Sequence, residues 1–188
     1  MRIGLIRHGE TEWNATGLLQ GATDIPLNSR GLDQASDAAG LLVNQGWSRL
    51  YSSPLTRARV TAEIISEGTG LGAPTLLPGV IERSFGVLEG EKYWMPDGTR
   101  RPLDHPSVEP REVVVERSLA AIREVAAAHP ADDTLIVCHG SVIRLVLTAV
   151  LGAQAPHIGN LALSILRPSG DAGFAVTLLN GYPLVPTP

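Results

Sequence analysis

The chain has 188 residues, of which 44% are hydrophobic and 18% charged. This length suits a single domain over 1–188 with a well-buried core, and the composition excludes wholesale disorder. The formal net charge of −4 argues against a general nucleic-acid binder, whose surface would be basic.

Apolar runs typical of buried strands alternate along the chain with segments of helical periodicity. The predicted strands cover about 2–7, 49–52, 134–138, 161–167 and 174–179. The predicted helices cover about 30–45, 53–68, 111–128 and 140–151, with Pro54 in the first turn of the second helix. This alternation predicts an α/β fold, a three-layer α/β/α sandwich with a mainly parallel central sheet.

Cysteine content and hydropathy indicate the cellular compartment in which the protein is expected to reside. Cys138 is the single cysteine, so no intrachain disulfide can form, and such usage suits a reducing environment. The N-terminus lacks the pattern of a signal peptide, and the longest apolar stretch, around 142–151, is too short to span a bilayer. We therefore expect a cytoplasmic protein with neither a membrane nor a nucleic-acid partner.

Two predicted strands are each followed by a His-Gly pair, His8-Gly9 and His139-Gly140. The carboxyl ends of parallel strands meet at one edge of a sheet, where ligands bind in open α/β folds, so both histidines can face one site. A metal would need a third ligand at suitable spacing, and nearby arginines would repel a cation. We expect neither a metal nor another cofactor.

The residues at this edge suit transfer of a phosphoryl group to an imidazole, which can act as a nucleophile. Guanidinium groups suit phosphoryl oxygens, and Arg7 and Arg57 follow two of the predicted strands. Glu82 is the candidate for the acid that protonates the departing alkoxide. The simpler alternative is that Arg7 and His8 are merely the exposed polar end of a strand.

Four segments, in order along the chain, resemble the motifs of the histidine phosphatase superfamily, also called phosphoglycerate mutase-like. They are Arg7–Thr11 followed by Trp13-Asn14 and Gln20-Gly21, Ser52–Ala58, Glu82–Gly86 followed by Glu89-Gly90, and Val137–Gly140. The resemblance covers nearly the whole chain and implies the phosphoglycerate mutase-like fold.

The resemblance also implies roles for the matching residues. His8 would be the nucleophile that becomes phosphorylated, and Glu82 would be the general acid and then the base that activates water. The rest of the implied catalytic set binds phosphate: Arg7, Arg57 and His139. We expect His139 to be most useful when protonated, because both its nitrogens then donate. The candidate substrate-binding residues beside this set are Asn14, Gln20, Gly21 and Gly140.

The Gly-, Pro- and charge-rich segment over about 88–110 is a predicted short cap, since long irregular loops are usually lids or binding loops. The basic residues around it are Arg83, Lys92, Arg100, Arg101 and His105. We expect Arg83 and Lys92 to bind the rest of an anionic substrate and Tyr93 to line the pocket. A solvated surface loop is the alternative. Arg144 is expected to support the site without contacting the substrate.

The segment Glu82–Gly90 is more similar to the phosphatase branch than to the mutases, which build a larger cap that keeps water from the phosphohistidine. We therefore expect a metal-independent phosphomonoesterase that hydrolyses a small phosphorylated metabolite through a phosphohistidine on His8. The alternatives are phosphoglycerate mutase-type transfer, a catalytically silent protein that binds a phosphorylated ligand, and a protein phosphohistidine phosphatase. The apolar tail over 182–185 is a candidate homodimer contact.

Overall fold

A computed structural model describes residues 1–170 and 173–183; residues 184–185 of the predicted dimer contact lie outside these ranges. Within the described residues, seven strands form one sheet: β1 (Ile3–Arg7), β2 (Arg49–Ser52), β3 (Thr75–Leu76), β4 (Thr134–Cys138), β5 (Leu163–Ser169), β6 (Gly173–Leu179) and β7 (Tyr182–Pro183). The helices are α1 (Glu12–Ala15), α2 (Ser29–Leu42), α3 (Thr56–Thr69), α4 (Arg111–Ala128) and α5 (Gly140–Leu151), with short 3₁₀ turns at Pro78–Val80 and Gly86–Leu88.

The strand order is β3-β2-β4-β1-β5-β6-β7. Strands β3, β2, β4 and β1 are parallel, whereas β5, β6 and β7 add antiparallel pairings. The parallel sheet is therefore confined to one half. Only residues 170–172 separate β5 from β6, which is far too short for the crossover that a parallel pair needs.

The central strands are buried on both faces, as the predicted three-layer sandwich requires. Leu5 and Ile136 belong to the core cluster shared with α4 and α5. Their neighbours Ile6 and Leu135 belong to the cluster shared with α2 and α3. Because successive side chains of a strand point to opposite faces, one apolar run supplies both layers.

Two helix bounds differ from prediction: α2 ends at Leu42 rather than near residue 45, and α3 starts later than expected. We expected this helix to begin at Ser53-Pro54, but it begins at Thr56 after Leu55 at the N-cap position. The backbone amide of Ser53 instead donates to the Val137 carbonyl at 2.9 Å. This bond continues the β2–β4 pairing by one residue and keeps Ser53 beside the end of β4.

The parallel register brings three strand ends to one edge of the sheet. Arg7 lies opposite Cys138, and Ser52 lies opposite Val137. The segments that follow β1, β2 and β4 thus start side by side, and the candidate site lies there. Within residues 1–170 and 173–183, the structure contains no helix that is both long and apolar enough to cross a membrane.

Candidate active site

His8 is the first residue after β1, and the sheet itself fixes its backbone. Its amide donates to the Cys138 carbonyl at 3.0 Å, and its side chain is buried. The next residue must be small, because a Cβ on Gly9 would collide with the backbone carbonyl of Gly31. The close approach of α2 to the end of β1 therefore requires this glycine.

The hydrogen bond of the His8 ring determines its tautomer. Nδ1 lies 2.6 Å from the Gly9 carbonyl oxygen, which can only accept, so Nδ1 carries the hydrogen. Burial, followed by the charges of Arg7 and Arg57, holds the pKa of His8 well below its ordinary value. The ring is therefore neutral, and Nε2 keeps the lone pair that a nucleophile needs.

His139 follows β4, and its ring centroid lies 5.2 Å from that of His8. Its Nε2 is 2.7 Å from the hydroxyl of Ser53, which accepts a long bond of 3.4 Å from the amide of Leu55. Among the described residues the Ser53 hydroxyl has no other acceptor, so we assign its proton to the bond with Nε2. Nδ1 of His139 then carries the hydrogen and is free to donate to a ligand, since it has no partner among the described residues.

The pKa of His139 bears on the expectation that this residue is most useful when protonated. Burial, and then the charge of Arg57 and the other groups nearby, holds the pKa of His139 well below its ordinary value. A protonated ring is therefore disfavoured in the free protein. The hydrogen bond with Ser53 makes protonation unnecessary for donation, because it keeps the hydrogen of the neutral His139 ring on Nδ1.

The two arginines are anchored by backbone carbonyls. The fully buried Arg57, in the first turn of α3, donates from Nη1 to Thr23 at 2.8 Å and from Nη2 to Gly21 at 2.7 Å. Arg7 donates from Nη1 to Ile158 at 2.7 Å. Carbonyl groups fix each guanidinium without neutralising its charge, so both cations remain available to an anion.

Unpaired polar atoms mark the point where an anion fits. In the described part of the chain, four buried side-chain nitrogen or oxygen atoms lack a hydrogen-bond partner: Arg7 Nε, Arg57 Nε, His139 Nδ1 and Trp47 Nε1. Three of them belong to the groups around His8, and all three are N–H donors. Since leaving a buried donor unpaired costs about 1–3 kcal/mol, three together indicate a binding site for an anion.

Glu82 is a buried carboxyl group at this site. Its Oε1 accepts from the Arg83 amide at 2.8 Å, and its Oε2 accepts from the Ser141 amide, in the first turn of α5, at 3.4 Å. Burial raises the pKa of Glu82, although these amides and the nearby arginines oppose the rise. A carboxyl group with a raised pKa can hold a proton for a leaving group.

Arg117 on α4 supports the segment that carries Glu82, and no motif pointed to it. Its guanidinium donates to the carbonyls of Gly79 at 2.9 Å, Ile81 at 2.7 Å and Glu82 at 3.3 Å. Glu109 pairs with its Nε at 2.8 Å. The position of the Glu82 backbone thus depends on a helix distant in sequence.

A cavity of about 770 Å³ opens onto these residues. Three members of the predicted catalytic set line it: Arg7, His8 and Glu82. The predicted substrate-binding residues on its wall are Asn14, Gln20, Gly21, Tyr93 and Gly140. Arg57 and His139 are fully buried and are not part of the wall.

Two predicted substrate-binding residues lie away from the cavity wall. Lys92 donates to the Thr16 carbonyl at 2.7 Å, and Arg83 donates from Nε to the Glu109 carbonyl at 2.7 Å. Both cations therefore have partners within the protein. Of the basic residues around the predicted cap, Arg100 alone lines this cavity in the described part of the chain.

Asn160 is a further residue of the site that the sequence did not suggest. It lies shortly before β5, and its Nδ2 donates to the His8 carbonyl at 2.8 Å and to Asn14 Oδ1 at 3.4 Å. Asn14 Oδ1 also accepts from the Thr11 amide at 3.2 Å. The Asn14 oxygen is thus occupied, which leaves its NH₂ group to donate.

Two glycines permit close approaches around the arginines. A Cβ on Gly140 would lie 3.2 Å from Arg7 Nε, so glycine lets this guanidinium pass the start of α5. Gly21 has φ +56° and would drive a Cβ into the carboxylate of Glu89.

No group of three or more His, Cys, Asp or Glu side chains within residues 1–170 and 173–183 could hold a metal ion.

Comparison with known proteins shows what the chain is similar to. The model of the histidine phosphatase superfamily (branch 1) matches residues 3–181. An uncharacterized phosphatase, PhoE, of Bacillus subtilis (strain 168) is 36% identical over 168 residues, covering 86% of this chain and 86% of that protein. A metal-independent phosphoserine phosphatase of Arabidopsis thaliana is 32% identical over 173 residues, covering 85% of this chain and 71% of that protein.

A solved structure also resembles the chain over almost its full length. It is a mutant of a phosphoserine phosphatase from Entamoeba histolytica in complex with phosphoserine. The TM-score is 0.81 at 25% sequence identity, and the match covers 96% of this chain and 97% of that chain.

Proposed function

The chain belongs to branch 1 of the histidine phosphatase superfamily, and we propose that it hydrolyses a small phosphorylated metabolite without a metal, through a phosphohistidine on His8. The observation that carries the proposal is the set of three unpaired buried N–H donors around a neutral imidazole. This arrangement offers donors to phosphoryl oxygens and a lone pair to phosphorus.

In the first step, Nε2 of His8 attacks phosphorus and the bond from phosphorus to the ester oxygen breaks. The departing oxygen takes the proton of Glu82, which becomes a carboxylate. Negative charge that develops on the phosphoryl oxygens meets preorganised donors, so little reorganisation is needed during the reaction. The products are the free alcohol and phosphorylated His8.

In the second step, the Glu82 carboxylate removes a proton from a water molecule that attacks the phosphohistidine. The bond from phosphorus to nitrogen breaks, and its electron pair returns to Nε2 of His8. Inorganic phosphate leaves, and Glu82 is again protonated. Each group therefore returns to its starting state after one turnover.

Hydrolysis is favoured over transfer to a second acceptor because the rim of the cavity is open to solvent. Trp94, on the wall of the cavity, is 52% exposed, so water can reach a phosphohistidine at this site. A mutase would instead return the phosphoryl group to the same carbon skeleton.

We further propose a cytoplasmic location, which suits the single reduced cysteine and small phosphorylated substrates.

The proposal is tested by measuring phosphate release from a panel of phosphomonoesters and by trapping the phosphorylated enzyme. The wild type should release phosphate and carry an acid-labile phosphoryl group, and His8→Ala should do neither. His129→Gln changes a histidine outside the cavity wall, beside Tyr51, and should keep both properties. Isomerisation of a substrate without phosphate release would indicate a mutase, and binding without turnover would indicate a silent protein.

A further inference from the structure

The orientation of the His8 ring depends on one backbone carbonyl, that of Gly9. Nδ1 of His8 donates to this oxygen at 2.6 Å, and within residues 1–170 and 173–183 the ring makes no other hydrogen bond. If the carbonyl turned away, the hydrogen could move to Nε2, the nitrogen that attacks phosphorus in the proposed mechanism. Whatever fixes the Gly9 carbonyl therefore keeps the nucleophile in its reactive tautomer.

Gly9 itself does little to fix the peptide group that follows it. Glycine has no Cβ, so its backbone populates a wide range of dihedral angles, and the Gly9–Glu10 peptide can rotate at low steric cost. A larger residue does not fit here, because Gly9 packs against the backbone carbonyl of Gly31. The peptide must therefore be held by contacts from elsewhere in the protein.

A side chain of α2 holds the opposite side of this peptide. The amide of Glu10 donates to Oε1 of Gln34 at 2.9 Å. The Gly9–Glu10 peptide is planar and trans, so the Glu10 N–H and the Gly9 carbonyl point in opposite directions from one rigid group. A bond that fixes the N–H therefore also fixes the carbonyl that faces His8.

Helix α2 carries Gln34 on the face that packs against the end of β1. Gln34 lies three residues after Gly31, so the two share one side of the helix. Gly31 permits the close approach, because a Cβ there would collide with the Glu10 carbonyl. Asn28, the N-cap of α2, also contacts this turn, since its amide donates to the Glu10 carbonyl at 3.0 Å. The start of α2 thus places Gln34 Oε1 at the Glu10 amide.

The peptide before Gly9 has a different anchor. The Gly9 amide donates to the hydroxyl of Thr61 on α3 at 3.1 Å, and this hydroxyl donates to the Arg57 carbonyl at 2.7 Å. Thr61 therefore fixes the peptide that does not carry the accepting carbonyl. In the described part of the chain, Gln34 is the one side chain other than His8 that is bonded to the Gly9–Glu10 peptide.

We propose that Gln34 is a positioning residue for the nucleophile: through the Gly9–Glu10 peptide it keeps the hydrogen of His8 on Nδ1 and the lone pair on Nε2. Gln34 does not line the cavity, so it acts through the peptide and not on the substrate. The inference rests on the proposed function, in which Nε2 of His8 attacks phosphorus. It implies an effect on phosphoryl transfer and none on phosphate binding, whose unpaired donors belong to other side chains.

The first test replaces Gln34 with methionine, which removes the acceptor, and with glutamate, which keeps an acceptor oxygen at the same length. Methionine and glutamine have similar helix propensities, so α2 should be preserved. In Gln34→Met we expect kcat to fall by about 3- to 10-fold, as for the loss of one ordinary hydrogen bond, while the inhibition constant of inorganic phosphate changes by about twofold or less. Gln34→Glu should restore kcat. Gln45→Met, the same substitution at an exposed glutamine, is the matched control and should behave as the wild type.

Nitrogen NMR of the His8 ring separates positioning from a loss of stability, and it needs no turnover. The wild type should show a neutral ring with its hydrogen on Nδ1, and Gln34→Met should show both tautomers. Gln34→Glu and Gln45→Met should retain the wild-type signals. An unchanged ring in Gln34→Met would overturn the inference, and so would equal losses of kcat in Gln34→Met and Gln34→Glu.

The two measurements together keep this inference distinct from the proposed function. If the wild type proves inactive on every phosphomonoester, a change of tautomer in Gln34→Met that Gln34→Glu reverses still supports the positioning of His8. If the wild type turns over, and Gln34→Met matches it in both kcat and ring signals, the proposed function stands and the role of Gln34 does not.

Discussion

The two ends of the cavity hold their cations in different ways. At the inner end, Arg57 and Arg7 are fixed by backbone carbonyls of Gly21, Thr23 and Ile158. At the outer wall, Arg100 rests on aromatic rings and Arg144 carries no ion pair among the described residues. The inner guanidiniums are hydrogen-bonded to the backbone, whereas among the described residues the side chains of Arg100 and Arg144 make no such bond.

This difference follows from what each end must do. Stabilising charge in a transition state requires hydrogen-bond donors that are already oriented. Keeping such donors buried and unpaired in the free protein lowers its stability. Recognising the rest of a substrate requires complementary charge, which an exposed or half-buried side chain can supply. We therefore expect substitutions at the outer wall to affect specificity more than the chemistry at His8.

Among the substitutions that test the difference between the two ends, Arg57→Ala should cause the largest loss of activity. The change removes one oriented donor and the two bonds that hold the loop at Gly21 and Thr23, so we expect kcat/KM to fall by about 10³-fold. Arg59→Ala, on the same helix, removes an exposed pair with Glu63 at 2.6 Å and should change kcat/KM by less than about twofold. Similar losses in both variants would show that the inner end is not specially ordered.

Glu82→Gln should give the next largest effect, and its size should depend on the leaving group. A good leaving group needs little protonation, so we expect a loss of about 10²-fold for alkyl phosphates and a smaller loss for aryl phosphates. Equal losses on both would contradict the acid role.

The pH profile gives an independent check of Glu82. The pKa of this carboxyl is raised by burial, and the first step needs the protonated form. Single-turnover rates with an alkyl phosphate should therefore fall as pH rises through the raised pKa. In Glu82→Gln this descending limb should disappear, and Glu12→Gln, at an exposed position, should retain it.

The inner end could be predicted from the sequence far better than the outer wall. His8 and His139 each follow an apolar run, and parallel topology brings such strand ends together. The predicted family and α/β fold are confirmed. The antiparallel pairing of β5 with β6 could also have been predicted from the sequence, because only residues 170–172 separate the two strands.

The outer wall depends on contacts that no local pattern encodes. Arg100 and Arg101 are adjacent, yet Arg100 faces the cavity while Arg101 pairs with Glu91 at 2.9 Å. Within this loop, Arg100 forms an isolated antiparallel bridge with Trp94. Asn160 was missed for the same reason, since its partner His8 is 152 residues away.

Ser53→Ala should cause the smallest loss of activity, and it tests directly how the donors at the inner end are oriented. Without the hydroxyl, no side chain keeps the His139 proton on Nδ1, so the donor is present for only part of the time. We expect kcat to fall by about tenfold or less, and Ser53→Thr should restore it. Ser52→Ala is the matched control, because it removes a buried bond of 2.8 Å to the Ser53 carbonyl but no partner of His139.

Nitrogen NMR of the His139 ring distinguishes this positioning role from a structural one. In the wild type, the hydrogen should be on Nδ1 of a neutral ring, whose pKa is held low by burial and nearby charge. In Ser53→Ala the ring should populate both tautomers, while Ser52→Ala should leave the spectrum unchanged. An unaltered Nδ1–H signal in Ser53→Ala, together with reduced kcat, would mean that the serine acts through packing and that the inner donors are oriented by the backbone alone.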